Sequence, residues 1–125
     1  MRFYLAAKFS YKKDLLPIAA ALTALGHVVQ AKWIYREEEN EEAAQSIINK
    51  RRSAIEDFDD IEACNGFILF NFPVDNPEKS SGRHVELGFA IAHHKAVFCV
   101  GKNESIFATL ADVNFDTVEQ LLEHL

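Results

Sequence analysis

The segment SSGRHVELGFAIAHHKAVFCVG contains one glutamate, Glu86, near the start of a run that is otherwise apolar for most of a helix's length. A first-turn glutamate is commonly half of a capping box, but the spacing fails here, because the partner of Ser81 would be His84. A plain surface role is also strained, since the residues three and four positions further on are Phe89 and Ala90. The pattern therefore favours a functional carboxylate, with an ordinary helix-surface glutamate as the alternative.

Further polar residues lie in the loops that would share a site with this glutamate. The candidate binding residues are Lys8, Ser10, Ser80, Ser81, Gly82 and Arg83. The serines and the glycine immediately precede the predicted helix, where free N–H groups and the helix dipole favour an anion. The two cations would add to that attraction, although serine caps and a solvated lysine are the alternative. Trp33 and Tyr35 follow the second predicted strand and could flank a flat base or pack a subunit interface.

The elements that must position these loops alternate between short apolar runs and longer amphipathic stretches, which is typical of an α/β fold. The predicted strands are RFYLAA, HVVQAKWI, GFILFNF and AVFCV. The continuous apolar run GFILFNF predicts a central strand that is buried on both faces. In a parallel doubly wound sheet, ligands bind outside the carboxyl ends of the strands, so we expect the site at that edge.

Helices are predicted between and after these strands. The first has Asp14 as its N-cap, Pro17 in its first turn and Gly26 as its C-terminal stop. The second covers about residues 41–63, follows the solvated acidic run REEENEE and carries an apolar stripe. The third is the segment quoted above, and the last is a closing helix that Asp116 could cap.

Composition limits the class of protein. A chain of 125 residues with 49% hydrophobic content and ten Phe suffices for one domain, residues 1–125, with a substantial core. The sequence has no apolar stretch of membrane-spanning length and no signal-like start, so we expect a cytoplasmic protein. Cys64 and Cys99 lack the spacing of metal ligands or of a disulfide framework, so we expect buried free thiols. The net charge of −6 argues against nucleic acid polymers and anionic membranes as partners, but not against a small phosphorylated ligand.

Three stretches together resemble a known family. FYLAAKFS, DFDDIEACNGFILF and the segment around Glu86 are similar to the nucleoside 2-deoxyribosyltransferases and their relatives, the deoxynucleoside 5′-monophosphate N-hydrolases. The most specific part is the pattern G-x-x-V-E-L-G-x-A-x-A-x-x-K-x-V at residues 82–97, and the likeness extends to about Gly101. With the alternating pattern, the resemblance implies a flavodoxin-like, Rossmann-like three-layer α/β sandwich whose parallel sheet has about five strands.

The resemblance also implies roles for individual residues. Glu86 corresponds to the nucleophile that attacks the anomeric carbon, and an aspartate in the preceding helix handles the departing base. The family's spacing from that aspartate to the strand selects Asp57, while a slip of register would select Asp59 or Asp60. Tyr4 matches the family's strand-one tyrosine, whose hydroxyl could orient the nucleophile, and a strand residue packed in the core is the alternative.

Two departures from the transferase pattern bear on the reaction. Ser80 stands six residues before the nucleophile, where transferases have an aspartate and the hydrolase branch has a serine. The transferases' late asparagine from a neighbouring subunit has no evident match, and Asn103 is a candidate because it is polar and lies in the corresponding loop. We therefore expect a homodimer or higher homo-oligomer that acts, without cofactor or metal, on the N-glycosidic bond of a 2′-deoxynucleoside or its 5′-monophosphate, with hydrolysis favoured. The alternative is a non-catalytic protein that binds or senses a nucleotide-derived ligand in the same cleft.

Overall fold

The computed structural model describes residues 1–36, 46–72, 81–103 and 105–125. Five strands form one parallel sheet in the order β2-β1-β3-β4-β5. The strands are β1 (Arg2–Ala6), β2 (Val28–Val29), β3 (Gly66–Asn71), β4 (Ala96–Gly101) and β5 (Val113–Phe115). This is the flavodoxin-like strand order, in which the chain changes its direction of winding between β1 and β3. The predicted fold class is confirmed.

Within the described residues, four helices cover the two faces of the sheet. They are α1 (Lys12–Ala24), α2 (Ile47–Ala63), α3 (Gly82–Ala92) and α4 (Val118–His124). The described connections contain the short 3₁₀ helices Phe9–Tyr11, Lys32–Ile34 and Ile106–Leu110. Contacts join α1 to α4 and α2 to α3, so each pair forms one outer layer. None of the helices in the described part of the chain is long and apolar enough to cross a membrane.

The core is centred on β3, whose six residues are all buried, as the run GFILFNF predicts. Side chains alternate between the faces of the sheet. Tyr4 on β1 stacks on Phe67 of β3 beneath α2 and α3, with ring centroids 5.7 Å apart. On the opposite face, Phe98 of β4 approaches His124 of α4 at 6.3 Å.

The two cysteines are free thiols buried in this core, as predicted. Cys64 lies directly after α2 and Cys99 lies within β4. Burial raises the pKa of the Cys64 thiol to about 12 and that of Cys99 to about 11. Both side chains therefore remain protonated and behave as small apolar groups.

The predicted start of α1 is wrong. The 3₁₀ turn of Phe9–Tyr11 runs directly into the helix, so α1 begins at Lys12 and Tyr11 occupies the N-cap position. Asp14 consequently lies inside the first turn, near the positive end of the helix, and Pro17 lies inside the helix beyond that turn. Gly26 ends the helix as predicted, with a φ of 91° that a residue with a Cβ rarely adopts.

The N-terminal ends of α4 and α2 also need comment. Thr117 rather than Asp116 caps α4, because the Thr117 hydroxyl accepts a hydrogen bond of 3.2 Å from the Gln120 N–H. Ser46 caps α2 in the same way, through Asn49. The predicted start of α2 near residue 41 and most of the acidic run fall among residues 37–45, outside the described part of the chain.

The edges of the sheet depart most from prediction. The run HVVQAKWI contributes only two residues to β2 and then forms a 3₁₀ helix. Hydrogen bonds explain the departure: the Lys32 N–H donates to Asp60, and the Trp33 indole N–H donates to the Leu5 carbonyl. These bonds carry the chain across the carboxyl end of β1. The three-residue strand β5 was not located from the sequence, because its run is too short to show an alternating pattern.

Candidate active site

A cleft of about 200 Å³ opens where the winding direction changes, at the carboxyl end of β1. Its walls come from β1 and the turn after it, from the 3₁₀ helix Lys32–Ile34, from α2 and from the start of α3. The lining residues are Tyr4, Ala7, Lys8, Phe9, Trp33, Asp57, Gly82, Arg83 and Glu86. All three residues predicted to be catalytic are therefore brought together in one cavity.

Glu86 and Tyr4 are joined directly. Leu87 and Ala90 of α3 are buried, whereas Glu86 on the same helix is partly exposed and lines the cleft. The Tyr4 side chain is fully buried, and its hydroxyl donates a hydrogen bond to Oε2 of Glu86. The ring of Tyr4 packs in the core while its hydroxyl contacts the Glu86 carboxylate, so the two interpretations of Tyr4 are compatible, and its role in orienting a nucleophile stays a prediction.

The structure distinguishes the three candidate aspartates of α2. Asp60 is 1% exposed and accepts hydrogen bonds of 2.9 Å from the Gln30 side chain and from the Lys32 N–H. Its oxygens thus hold the strand-to-helix connection after β2 in place. Asp59 is exposed and lies outside the cleft. Asp57 lines the cleft with Glu86, so of these three it is the one placed to meet a ligand there.

The electrostatics of the site follow from burying two carboxyl groups together. Desolvation raises the pKa of Glu86 to about 8; the hydrogen bond from Tyr4 opposes this and the charge of Asp57 adds to it. Desolvation also raises the pKa of Asp57 to about 6, with Arg36 opposing it. Burial, with the neighbouring carboxylates, raises the pKa of the Tyr4 hydroxyl well above its usual value, so this hydroxyl stays a hydrogen-bond donor.

Interacting carboxyl groups titrate as a pair, so the two apparent values belong to the pair as a unit. Between about pH 6 and about pH 8, Asp57 and Glu86 together hold about one proton. One ionised and one protonated carboxyl in a single cleft can serve as nucleophile and as general acid at neutral pH.

Three of the predicted binding residues also line the cleft: Lys8, Gly82 and Arg83. Arg83 is 3% exposed, and its Nε donates a hydrogen bond of 3.3 Å to Oδ1 of Asn71 at the end of β3. Sequence reasoning missed Asn71, although a polar residue near the end of an apolar strand was a visible signal. The guanidinium of Arg83 is thus supported by the sheet beneath it.

Three of the other predicted binding residues, Ser10, Ser81 and Asn103, do not line this cleft. Ser10 is exposed in the 3₁₀ turn after β1, and Ser81 is exposed beside Gly82 without making a side-chain capping bond. Asn103 follows β4, where its amide donates a hydrogen bond of 3.2 Å to Asn114. Ser80 lies outside the described residues. The binding roles of these four residues stay predictions.

Aromatic rings form one wall of the cleft. Trp33 was anticipated as a residue that could flank a base, and it does line the cavity, whereas Phe9 was missed. Their ring centroids are 6.3 Å apart with planes inclined by 32°. Phe9 lies in the turn directly after β1, so its position depends on a loop conformation that the sequence pattern does not predict. Within the described residues, no group of three His, Cys, Asp or Glu side chains is placed to hold a metal ion.

The arrangement defines an α/β domain of flavodoxin-like topology with a carboxyl pair at the switch point of its sheet. No family model and no curated protein matches the chain by sequence. Solved structures do match it. A 2-deoxyribosyltransferase from Bacillus psychrosaccharolyticus superposes with a TM-score of 0.77 at 19% identity, over 98% of this chain and 90% of that one.

Two further structures share the fold. A CMP N-glycosidase from Clostridium botulinum gives a TM-score of 0.64 at 21% identity, over 99% of this chain and 97% of the other. A 2-deoxyribosyltransferase from Leishmania mexicana gives 0.58 at 20% identity, over 82% of this chain and 65% of the other. These likenesses agree with the resemblance seen in the sequence motifs and establish the fold. The activity is inferred from the chemistry of the site.

Proposed function

We propose that this protein cleaves the N-glycosidic bond of a 2′-deoxynucleoside or its 5′-monophosphate, with Glu86 as the nucleophile. The observation that carries the proposal is the hydrogen bond from the buried Tyr4 hydroxyl to Glu86, in a cleft that Asp57 also lines. Double displacement at an anomeric carbon needs a positioned carboxylate as nucleophile and a second carboxyl group as acid and base. The shared fold of deoxyribosyltransferases and an N-glycosidase supports it.

Each group has one task in the proposed reaction. An oxygen of ionised Glu86 attacks C1′ as the bond from C1′ to the base nitrogen breaks, and the electron pair of that bond leaves with the base. Protonated Asp57 donates its proton to the base, which departs neutral. Water or a second base then displaces Glu86 from C1′, and ionised Asp57 takes the proton of that acceptor. No cofactor is required, because the acceptor supplies the only other reactant.

The protonation state that this reaction needs is the one with a single proton, on Asp57. Because the pKa of Glu86, about 8, lies above that of Asp57, about 6, the single proton resides mainly on Glu86. The reactive form, with ionised Glu86 and protonated Asp57, is the minor one of the singly protonated pair, and the hydrogen bond from Tyr4 increases its population. We therefore expect a bell-shaped profile of kcat/KM against pH, with limbs near 6 and near 8. The acid limb reports the loss of the first proton of the pair, chiefly from Asp57, and the alkaline limb reports the loss of the second, which Asp57 carries in the reactive form.

We further propose that the substrate carries a 5′-phosphate and that water is the acceptor. Lys8 and Arg83 bring two cations to the cleft, and Gly82 and Arg83 begin α3, where N–H groups favour an anion. Serine at position 80 adds no negative charge to repel a phosphate. The solved structure named as a CMP N-glycosidase acts on a nucleoside monophosphate, which supports this choice.

The test is to incubate the protein with a panel of nucleosides and 5′-monophosphates, with and without an added base, and to measure free and exchanged base by chromatography. Release of base from monophosphates, faster than from the nucleosides, supports the hydrolase. Base exchange on bare nucleosides would support transfer instead. Binding of a nucleotide without any release of base would contradict an enzyme and leave the alternative, a nucleotide-binding protein. Ser80→Asp should reverse a preference for the monophosphate.

We also propose a homodimer that pairs through α2, because part of the apolar stripe of this helix is not in the core. Ile48 is 72% exposed and Ile55 is 52% exposed, beside Arg51 and Asp59 on the same shallow groove. Two antiparallel copies of α2 that meet at Ile55 place Arg51 of each opposite Asp59 of the other, since both lie four residues from that point. The face is therefore complementary to itself in charge and apolar at its centre.

Analytical ultracentrifugation of charge-reversed variants tests this interface. Arg51→Glu alone and Asp59→Lys alone should each sediment as monomers, and an equal mixture of the two should recover a heterodimer. A wild-type chain that is monomeric at high micromolar concentration would contradict the proposal, as would a mixture that does not associate.

A further inference from the structure

Arg36 lies beside the proposed acid without lining the cleft. It follows the 3₁₀ helix Lys32–Ile34, and its side chain lies along α2 over one turn of that helix. Its Nη1 donates a hydrogen bond of 3.1 Å to the Ser53 hydroxyl, and its Nη2 is 3.4 Å from Oε2 of Glu56. The backbone carbonyl of Arg36 accepts a hydrogen bond from Lys12 of α1. Ser53 and Glu56 thus hold the guanidinium, and Lys12 holds the backbone of the same residue.

The same guanidinium reaches the carboxyl of Asp57. Nη2 of Arg36 lies 3.7 Å from Oδ1 of Asp57, and both side chains are mostly shielded from solvent. Within the described residues, neither of these two buried atoms has a hydrogen-bond partner. Their interaction is therefore an ion pair at slightly more than hydrogen-bond distance, in surroundings where charges are screened less than at an open surface.

The other charges that face Asp57 are mainly negative. Glu56 and Asp60 flank it on α2, and Glu86 faces it from α3 across the cleft, beside the Tyr4 hydroxyl of β1. Lys8 and Arg83 line the cavity from the turn after β1 and from α3. Burial among the carboxylates raises the pKa of Asp57, and Arg36 is the cation that lowers it.

We propose that Arg36 is a positioning residue, whose guanidinium holds the Asp57 carboxyl at the edge of the cleft and balances the acidic groups around it. The proposal rests on the proposed function in one respect, namely that Asp57 must be protonated when the base leaves. Without the guanidinium, Asp57 would keep its proton to higher pH and would be freer to rotate away from the base. Arg36 itself would touch neither substrate nor reacting atoms.

Two matched variants give opposite predictions. Arg36→Gln removes the cation beside Asp57, whose pKa is about 6, so the acid limb of the kcat/KM profile should move up by about one pH unit. Glu56→Gln removes an anion that faces the same carboxyl, so that limb should move down by a smaller amount. Arg36→Lys keeps a charge and should leave the limb close to that of the wild type. Loss of packing alone would not move the two Gln variants in opposite directions.

A second measurement does not depend on activity. ¹³C NMR titration of the Asp57 carboxyl, in the wild type and in Arg36→Gln, should show the same upward displacement of its midpoint. An unchanged or lowered midpoint in Arg36→Gln overturns the role of Arg36, even if Glu86→Ala is inactive and the proposed function stands. Conversely, if the Asp57 midpoint rises in Arg36→Gln but the wild-type protein releases no base, the proposed function is contradicted while the pairing of Arg36 with Asp57 is supported.

Discussion

Two grooves open at the carboxyl edge of the same sheet, and they differ in what they bury. The larger, of about 370 Å³, lies between the ends of β3 and β4 and the start of α4. Its charged residues Lys102 and Asp116 are exposed, and the hydroxyl of Thr117 caps the helix. The smaller, of about 200 Å³, holds Glu86 against a fully buried Tyr4 with Asp57 beside them.

This difference shows that position at the strand ends does not by itself make an active site. Both grooves satisfy the rule that ligands bind outside the carboxyl ends of parallel strands. The smaller groove adds two carboxyl groups whose pKa values are raised by burial, to about 8 for Glu86 and about 6 for Asp57. Retaining groups in such a costly state is typical of catalysis, so the chemistry is expected in the smaller cavity.

The largest effect is expected from Glu86→Ala, which removes the proposed nucleophile. We expect base release to fall by more than about 10³-fold, as for loss of other nucleophiles that act with a partner group. The fold should persist, because Glu86 lies on the cleft side of α3 while Leu87 and Ala90 fill the core. Asp116→Asn in the larger groove is the matched control and should keep nearly full activity. If Asp116→Asn is the variant that loses activity, the assignment of the two grooves is reversed.

A somewhat smaller effect is expected from Asp57→Asn, which removes the proposed proton donor. Cleavage should slow by about 10²–10⁴-fold for substrates with poor leaving bases and much less for activated ones, because a proton donor matters most for a basic leaving group. Asp59→Asn, two residues away and exposed, should react like the wild type. Measured rates across a leaving-group series check this, and equal slowing for every base would assign Asp57 to sugar binding.

The smallest effect is one of stability. Because burial raises the pKa of Glu86 from 4.5 to about 8, the folded state loses stability relative to the unfolded state as pH rises above 4.5. Glu86→Gln keeps the shape without that cost. Its melting temperature should equal that of the wild type near pH 4 and exceed it by roughly 10 °C at pH 8. A calorimetric difference that is constant with pH would show that Glu86 is not held in an unfavourable environment.

The central parts of fold and site could be predicted because they depend on local pattern. The run GFILFNF is apolar throughout, and the E-L-G motif marks Glu86 at the start of its helix. The family's spacing selected Asp57, but placing Asp60 outside the cleft required the structure, since one helical turn separates a cleft residue from one that bonds Gln30 and Lys32. Spacing within a helix does not reveal which neighbours another segment brings to each side.

Residues that act through tertiary contacts escaped prediction for the same reason. Asn71 supports Arg83 from the end of a strand, and Arg36 reaches Asp57 from a segment that the sequence predicted to be a solvated loop and helix start. The strand prediction over HVVQAKWI failed because Trp33 bonds to the Leu5 carbonyl and turns the chain over the end of β1. These contacts join residues far apart in the chain, so no short pattern encodes them.

Mass spectrometry of the reacting enzyme tests the role of Glu86 most directly. The protein is mixed with a 2′-deoxynucleoside 5′-monophosphate, quenched in acid within the first turnover and digested. We predict that the peptide containing Glu86 gains the mass of one 2-deoxyribosyl 5-phosphate group, and that Glu86→Ala shows neither this adduct nor release of base. An adduct on a different carboxylate, or release of base by Glu86→Ala at the wild-type rate, would contradict the assignment of Glu86 as the nucleophile.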